Sequence, residues 1–222
     1  MTMLKVTFIK NKKFILTILI IAALYLYRTI LSWYEFVILG LAPNSDTLKN
    51  IGILTKDLVW ITLTLGLLKW WYPKNWLATA GFKTFNWKTF VWLIVATTIP
   101  LIYFYLQDTL FYGGINYKPN WTFSLVFYEI RNSLVEESLF RGFIQTFLND
   151  NLGFWKGIIV QGFLFSVIHW CWWVFTGELS FGSAMYVWVL GIFWGFIRQK
   201  SGSIYPTLVS HAVHNLVLTM LL

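Results

Sequence analysis

Charge is scarce in this chain: 12% of its 222 residues are Asp, Glu, Lys or Arg, about half the share of a soluble domain. That deficit excludes a conventional soluble module anywhere along it. Acids are the rarer sign, nine against seventeen bases. Cysteine occurs once, at Cys171, so an internal disulfide is excluded, and there is no CxxC to hold a structural metal. No HExxH pair, internal repeat or low-complexity stretch is present. No small-residue cleavage site follows "AALYLYRTIL", so the first apolar run is expected to persist as an uncleaved helix.

Apolar side chains take the place of charge. The chain is 58% hydrophobic and 20% aromatic, with a mean hydropathy of +0.64, and runs long enough to cross a bilayer recur throughout it. The expected fold is an all-α, polytopic transmembrane helix bundle formed by a single integral membrane domain over 1–222, with the site in an intramembrane cavity. Seven spans are predicted, at about 14–33, 54–68, 90–106, 121–148, 157–175, 181–197 and from 204 to the C-terminus. Pro73 stops the second span and Pro100 kinks the third. Arg28, inside the first, is expected to reach toward an interface. The Trp- and Phe-rich connection "KNWLATAGFKTFNWK" suits a segment lying on the bilayer surface. The loop "QDTLFYGGINYKPN" is punctuated by Gly and Pro.

The net charge of +8 could suggest a nucleic-acid partner, but its distribution points to the lipid bilayer instead. Alternate connections hold eleven Lys or Arg (5, 10, 12, 13, 69, 74, 83, 88, 156, 198 and 200) and one acid, Asp150. The intervening ones hold Lys49 and Lys118 against Glu35, Asp46, Asp108 and Glu178. Positive charge grouped this way orients a chain with its basic loops inside. A multi-pass cell-membrane protein with a cytoplasmic N-terminus is expected, with no nucleic-acid partner.

Few ionisable residues fall well inside a predicted span: Glu129, Arg131, Glu136, Glu137, Arg141, His169, His211 and His214. Such residues are costly in lipid and therefore mark functional sites by default. All three histidines are among them. Helical spacing puts Glu137 and Arg141 on one face, as an ion pair would need, and turns Glu136 about 100° away. Phe165 and His169 share a face, as do His211 and Asn215. Each also has a bland reading: Phe165 as packing, the histidines and Asn215 as interhelical hydrogen bonds, Glu129 and Arg131 as residues near an interface. His214, three residues after His211, reads simply as its neighbour.

Together these residues spell "EESLFR" at 136–141, "FSVIH" at 165–169 and "HAVHN" at 211–215. The chain thus resembles the CAAX protease and bacteriocin-processing (Abi) family, whose signature is EExxxR, FxxxH and HxxxN in this order on separate helices. The resemblance covers residues 121–222. It implies a glutamate-type intramembrane endopeptidase needing no cofactor. Glu136 with His169 would activate a water, His211 and Asn215 would hold the oxyanion, and Glu137, Arg141 and Phe165 would support them. The substrate would be a membrane-associated peptide or protein, and the small, Lys-rich chain suggests a bacterial member that processes a bacteriocin leader or pheromone precursor.

Two alternatives stand beside this reading. Zinc bound by Glu136, His169 and His211 would leave an open fourth position, as catalytic zinc requires. A non-catalytic role, in bacteriocin self-immunity or as a regulatory scaffold, would need no chemistry, although every motif residue is in place. A transporter would show broken helices in paired halves, and only Pro100 and the 113–119 loop interrupt the pattern. No serine is placed as a nucleophile, and Cys171, two residues past His169, points away from it.

Overall fold

The computed structural model describes residues 2–41, 46–111 and 122–221. Among these, every regular element is helical. The helices are α1 (Thr2–Leu41), α2 (Asp46–Trp71), α3 (Trp76–Ala80), α4 (Trp87–Phe111), α5 (Phe123–Glu137), α6 (Gln145–Leu152), α7 (Phe154–Thr176), α8 (Phe181–Ser201) and α9 (Tyr205–Leu221). A π-helical stretch, Ser138–Ile144, joins α5 to α6 without a break. Residues 112–120 of the Gly- and Pro-punctuated loop lie outside the described residues.

The all-α membrane architecture is borne out. Each of the seven predicted spans corresponds to a helix. Five of these are long and apolar enough to cross a membrane: 12–38, 51–71, 87–107, 154–176 and 181–201. The two remaining spans are the continuous helix 123–152 and the 17-residue α9, the two that carry most of the polar residues singled out above. The surface connection contains only the single-turn α3, closed by Gly81 in the left-handed conformation (φ 95°), which a side-chain-bearing residue would resist. Asn86 then caps α4 by accepting from the Thr89 amide at 3.0 Å.

Two compact units are distinguished, Met1–Leu58 with Ser166–Tyr186, and Val59–Phe165 with Val187–Leu222. In the first, Arg28 is ion-paired with Glu35 at 3.0 Å, so it has a partner within its own helix rather than only a path to an interface. Ser166 donates to the Ala184 carbonyl at 2.7 Å, and Cys171 accepts from Thr29 Oγ1 at 3.3 Å.

In the second unit, glycines let helices meet backbone to backbone. A Cβ on Gly191 of α8 would stand 2.9 Å from Gly162 Cα of α7, and one on Gly162 would stand 2.9 Å from the Ile192 amide. Close approach through small residues is how helices associate where lipid removes the hydrophobic drive. Buried polar links supplement it: Gln145 Nε2 donates to the Gly195 carbonyl at 2.7 Å, and Ser210 Oγ of α9 donates to the Ala96 carbonyl of α4 at 2.6 Å. Pro206 sits in the first turn of α9, where its missing N–H costs no helical bond.

Candidate active site

Glu136 and Glu137 end α5, and Arg141 sits in the π-helical stretch immediately after them. A π turn is a rare departure from α geometry that recurs at functional positions. Glu137 and Arg141 are both fully buried, and Glu137 Oε1 lies 2.9 Å from Arg141 Nη1. The ion pair predicted from their spacing is therefore present. The guanidinium also stacks over Phe165, 4.0 Å from the ring centroid, and lies 5.3 Å from the ring centroid of Trp194. Aromatic faces stabilise a desolvated cation, so Phe165 does more than fill space.

The same Glu137 oxygen lies 2.9 Å from His211 Nδ1. A carboxylate can only accept hydrogen bonds, so with Glu137 as the ion-pair partner of Arg141 this contact is a hydrogen bond when Nδ1 carries the histidine proton. The other ring nitrogen, Nε2, is then left facing Glu136, whose Oε2 is 3.8 Å away. Arg141, Glu137, His211 and Glu136 thus form a chain of polar contacts across α9 and the helix that carries the first motif. Trp194 stacks on the His211 ring at 4.6 Å with a 29° interplanar angle, and Phe165 meets its edge at 5.7 Å. The indole is itself fixed by donating Nε1–H to Ser210 Oγ at 2.9 Å.

Asn215, one turn beyond His211, is oriented from two sides. Its Nδ2 donates to Glu129 Oε2 at 3.0 Å, and its Oδ1 lies 3.2 Å from His214 Nδ1. Glu129, expected near an interface, is buried at 7% exposure. His214 is likewise more than a neighbour, packed between Phe104 and Trp194 with ring centroids 5.0 and 5.6 Å away. Glu129 precedes Glu136 by seven residues, two helical turns, which was the signal in the sequence that could have found it. Trp194 had no such signal, being one of fourteen tryptophans.

Glu136, Glu137, Arg141, Phe165, His211 and Asn215 all lie in the second compact unit, and His169 lies in the first, beside Trp173 at 5.5 Å. Among the described residues, no group of three or more His, Cys, Asp or Glu has the arrangement of a metal-ligand set.

The class defined by this fold and cluster is a polytopic helical membrane protein with ionisable groups buried among apolar helices. Residues 118–217 match the family described as Rce1-like, type II CAAX prenyl endopeptidases, in agreement with the resemblance carried by the three motifs. That family is one of membrane proteases of the CAAX type. No curated protein and no solved structure matches the chain.

Proposed function

We propose that the protein is an intramembrane endopeptidase that hydrolyses a peptide bond of a membrane-associated peptide or protein, in a multi-pass cell-membrane fold with the N-terminus in the cytoplasm. The observation that supports it most is the buried chain Arg141–Glu137–His211–Glu136, because ion-pair and hydrogen-bond distances of 2.9 Å hold one histidine in a single tautomer beside a second carboxylate. A merely structural ion pair would not need that second carboxylate.

In this reading Glu136, with His169 as the partner implied by the family resemblance, accepts a proton from water as its oxygen bonds to the peptide carbonyl carbon. The carbonyl π electrons move to oxygen to give a tetrahedral oxyanion, which re-forms the carbonyl as the C–N bond breaks and Glu136 passes its proton to the departing nitrogen, restoring the Glu136 carboxylate. Asn215 Nδ2 retains one N–H beyond the one given to Glu129, free to donate to the oxyanion. His211 can donate through Nε2 only when both ring nitrogens carry a proton, and its Nδ1 lies 2.9 Å from Glu137. Preorganised donors of this kind contribute on the order of 3 kcal/mol each.

The test is cleavage by full-length protein reconstituted in vesicles, with a prenylated CAAX peptide and its unprenylated counterpart followed by mass spectrometry. Wild type should release a defined fragment and Glu136→Ala should not, with a strong chelator present or absent. Loss of activity with chelator, restored by zinc, would support the metal reading instead. Equal cleavage by the Ala variant would remove the glutamate from the chemistry.

A further inference from the structure

A second polar site lies away from the cluster just described. A cleft of about 360 Å³ is lined by Arg198, Lys83, Thr79, Thr146, Gln199 and Asp150, among others, all within the second compact unit. That volume is near the lower end of small-molecule sites, roughly 300–1,000 Å³. Along the helix that carries Glu136, Thr146 is ten residues further on, or about 15 Å, so this cleft is not part of the catalytic cluster.

Arg198 defines its chemistry. The residue is 8% exposed, and its guanidinium is held against the backbone, with Nη2 donating to the Thr79 carbonyl at 2.9 Å. Gly81 makes that seat possible, since a Cβ there would stand 2.6 Å from Arg198 Nε. Nε is buried with no hydrogen-bond partner, and no carboxylate among the described residues pairs with this arginine. A buried guanidinium without a counter-charge is costly, and its planar fork matches a phosphate. Lys83 adds a second, exposed cation to the lining. Asp150 is the one acid there, and it accepts from the Tyr72 hydroxyl at 2.6 Å. The lining therefore carries net positive charge.

Its position fits a bilayer surface. Arg198 is in the last turn of α8, Thr146 and Asp150 are in α6, and Lys83 follows α3, the connections in which the sequence concentrates its bases. Trp87 and Trp155, in the same connections, are 75% and 60% exposed, as aromatic residues at headgroup level are. We propose that this cleft binds a phosphate group, carried by a glycerophospholipid headgroup or free in solution, with Arg198 as its buried anchor and Lys83 at its rim.

The experiment uses delipidated full-length protein in detergent, titrated with phosphatidylglycerol, with phosphate-free diacylglycerol of the same chains, and separately with inorganic phosphate. Bound molecules are counted by native mass spectrometry, alongside the unfolding midpoint. Phosphatidylglycerol should be retained over diacylglycerol, with retention falling about threefold in Lys83→Gln and about tenfold in Arg198→Gln, as a rim cation and a buried charged donor differ. If inorganic phosphate alone raises the midpoint in wild type and not in the variants, the site stands with free phosphate as its ligand. Equal retention of both lipids with no response to phosphate, or retention unchanged by the substitutions, overturns the proposal. Should Arg198→Gln fail to fold, Lys83→Gln and the diacylglycerol comparison decide.

Discussion

Arg141 and Glu137 are each fully buried, so removing one leaves the other uncompensated. Arg141→Ala is expected to cost about 3–5 kcal/mol of stability, whereas Glu137→Gln with Arg141→Met, which removes both charges at similar volume, should recover most of it. Denaturant titration in detergent would read this, and equal losses in the single and double variants would count against the pair. Glu129 acts through another residue, because its oxygen fixes the Asn215 amide at 3.0 Å. Glu129→Ala should lower kcat about tenfold, less than the loss of an oxyanion donor itself, with KM nearly unchanged. Glu129→Gln, which keeps an acceptor, should restore most of the rate, and a KM effect alone would contradict a positioning role. The Glu137–Arg141 pair was legible from spacing alone. The Asn215–Glu129 and His211–Glu137 contacts were not, since no periodicity on one helix specifies which residue on another it will meet.

At the scale of elements, α7 and α8 are separated at Gly162 and Gly191 by little more than backbone. The atoms a new Cβ would meet at Gly191 include Gly162 Cα at 2.9 Å and its carbonyl oxygen at 3.1 Å, and neither can swing aside. Gly191→Ala should therefore cost about 1–3 kcal/mol, the usual penalty of overpacking. It should also reduce activity, since Phe165 on α7 and Trp194 on α8 both flank His211. Gly66, with nothing within 4 Å of its Cβ position, is the control, and Gly66→Ala should be near neutral. Thermal unfolding of the two variants side by side checks this; equal midpoints would mean the contact is not a constraint. The long helices were readable because apolar runs of spanning length are an unambiguous signal. The π-helical stretch was not, because nothing in "SLFRGFI" departs from an ordinary helical pattern. The Arg28–Glu35 pair was not legible either, because Glu35 was expected in a loop and α1 continues to Leu41.

For the whole molecule, the distribution of Lys and Arg predicts the orientation. With Cys171 replaced by Ala, a lone cysteine at Lys83 should react with a membrane-impermeant maleimide in inside-out vesicles and not in intact cells, and the opposite pattern would invert the topology. The class of molecule was legible because a bilayer tolerates few charges, so each one retained stands out. The fold is that of a multi-pass helical membrane protein, residues 118–217 add a likeness to CAAX-type proteases, and the proposed working residues rest on the buried contacts around His211.

We propose Glu136 as the base, and one rate tests that proposal most directly. Wild type and Glu136→Gln are compared in the same vesicles for single-turnover cleavage of whichever CAAX peptide wild type accepts, with unfolding midpoints matched. The account predicts a fall of about 10²–10⁴, the usual contribution of a positioned general base, with no loss of stability. A rate within threefold of wild type would contradict it.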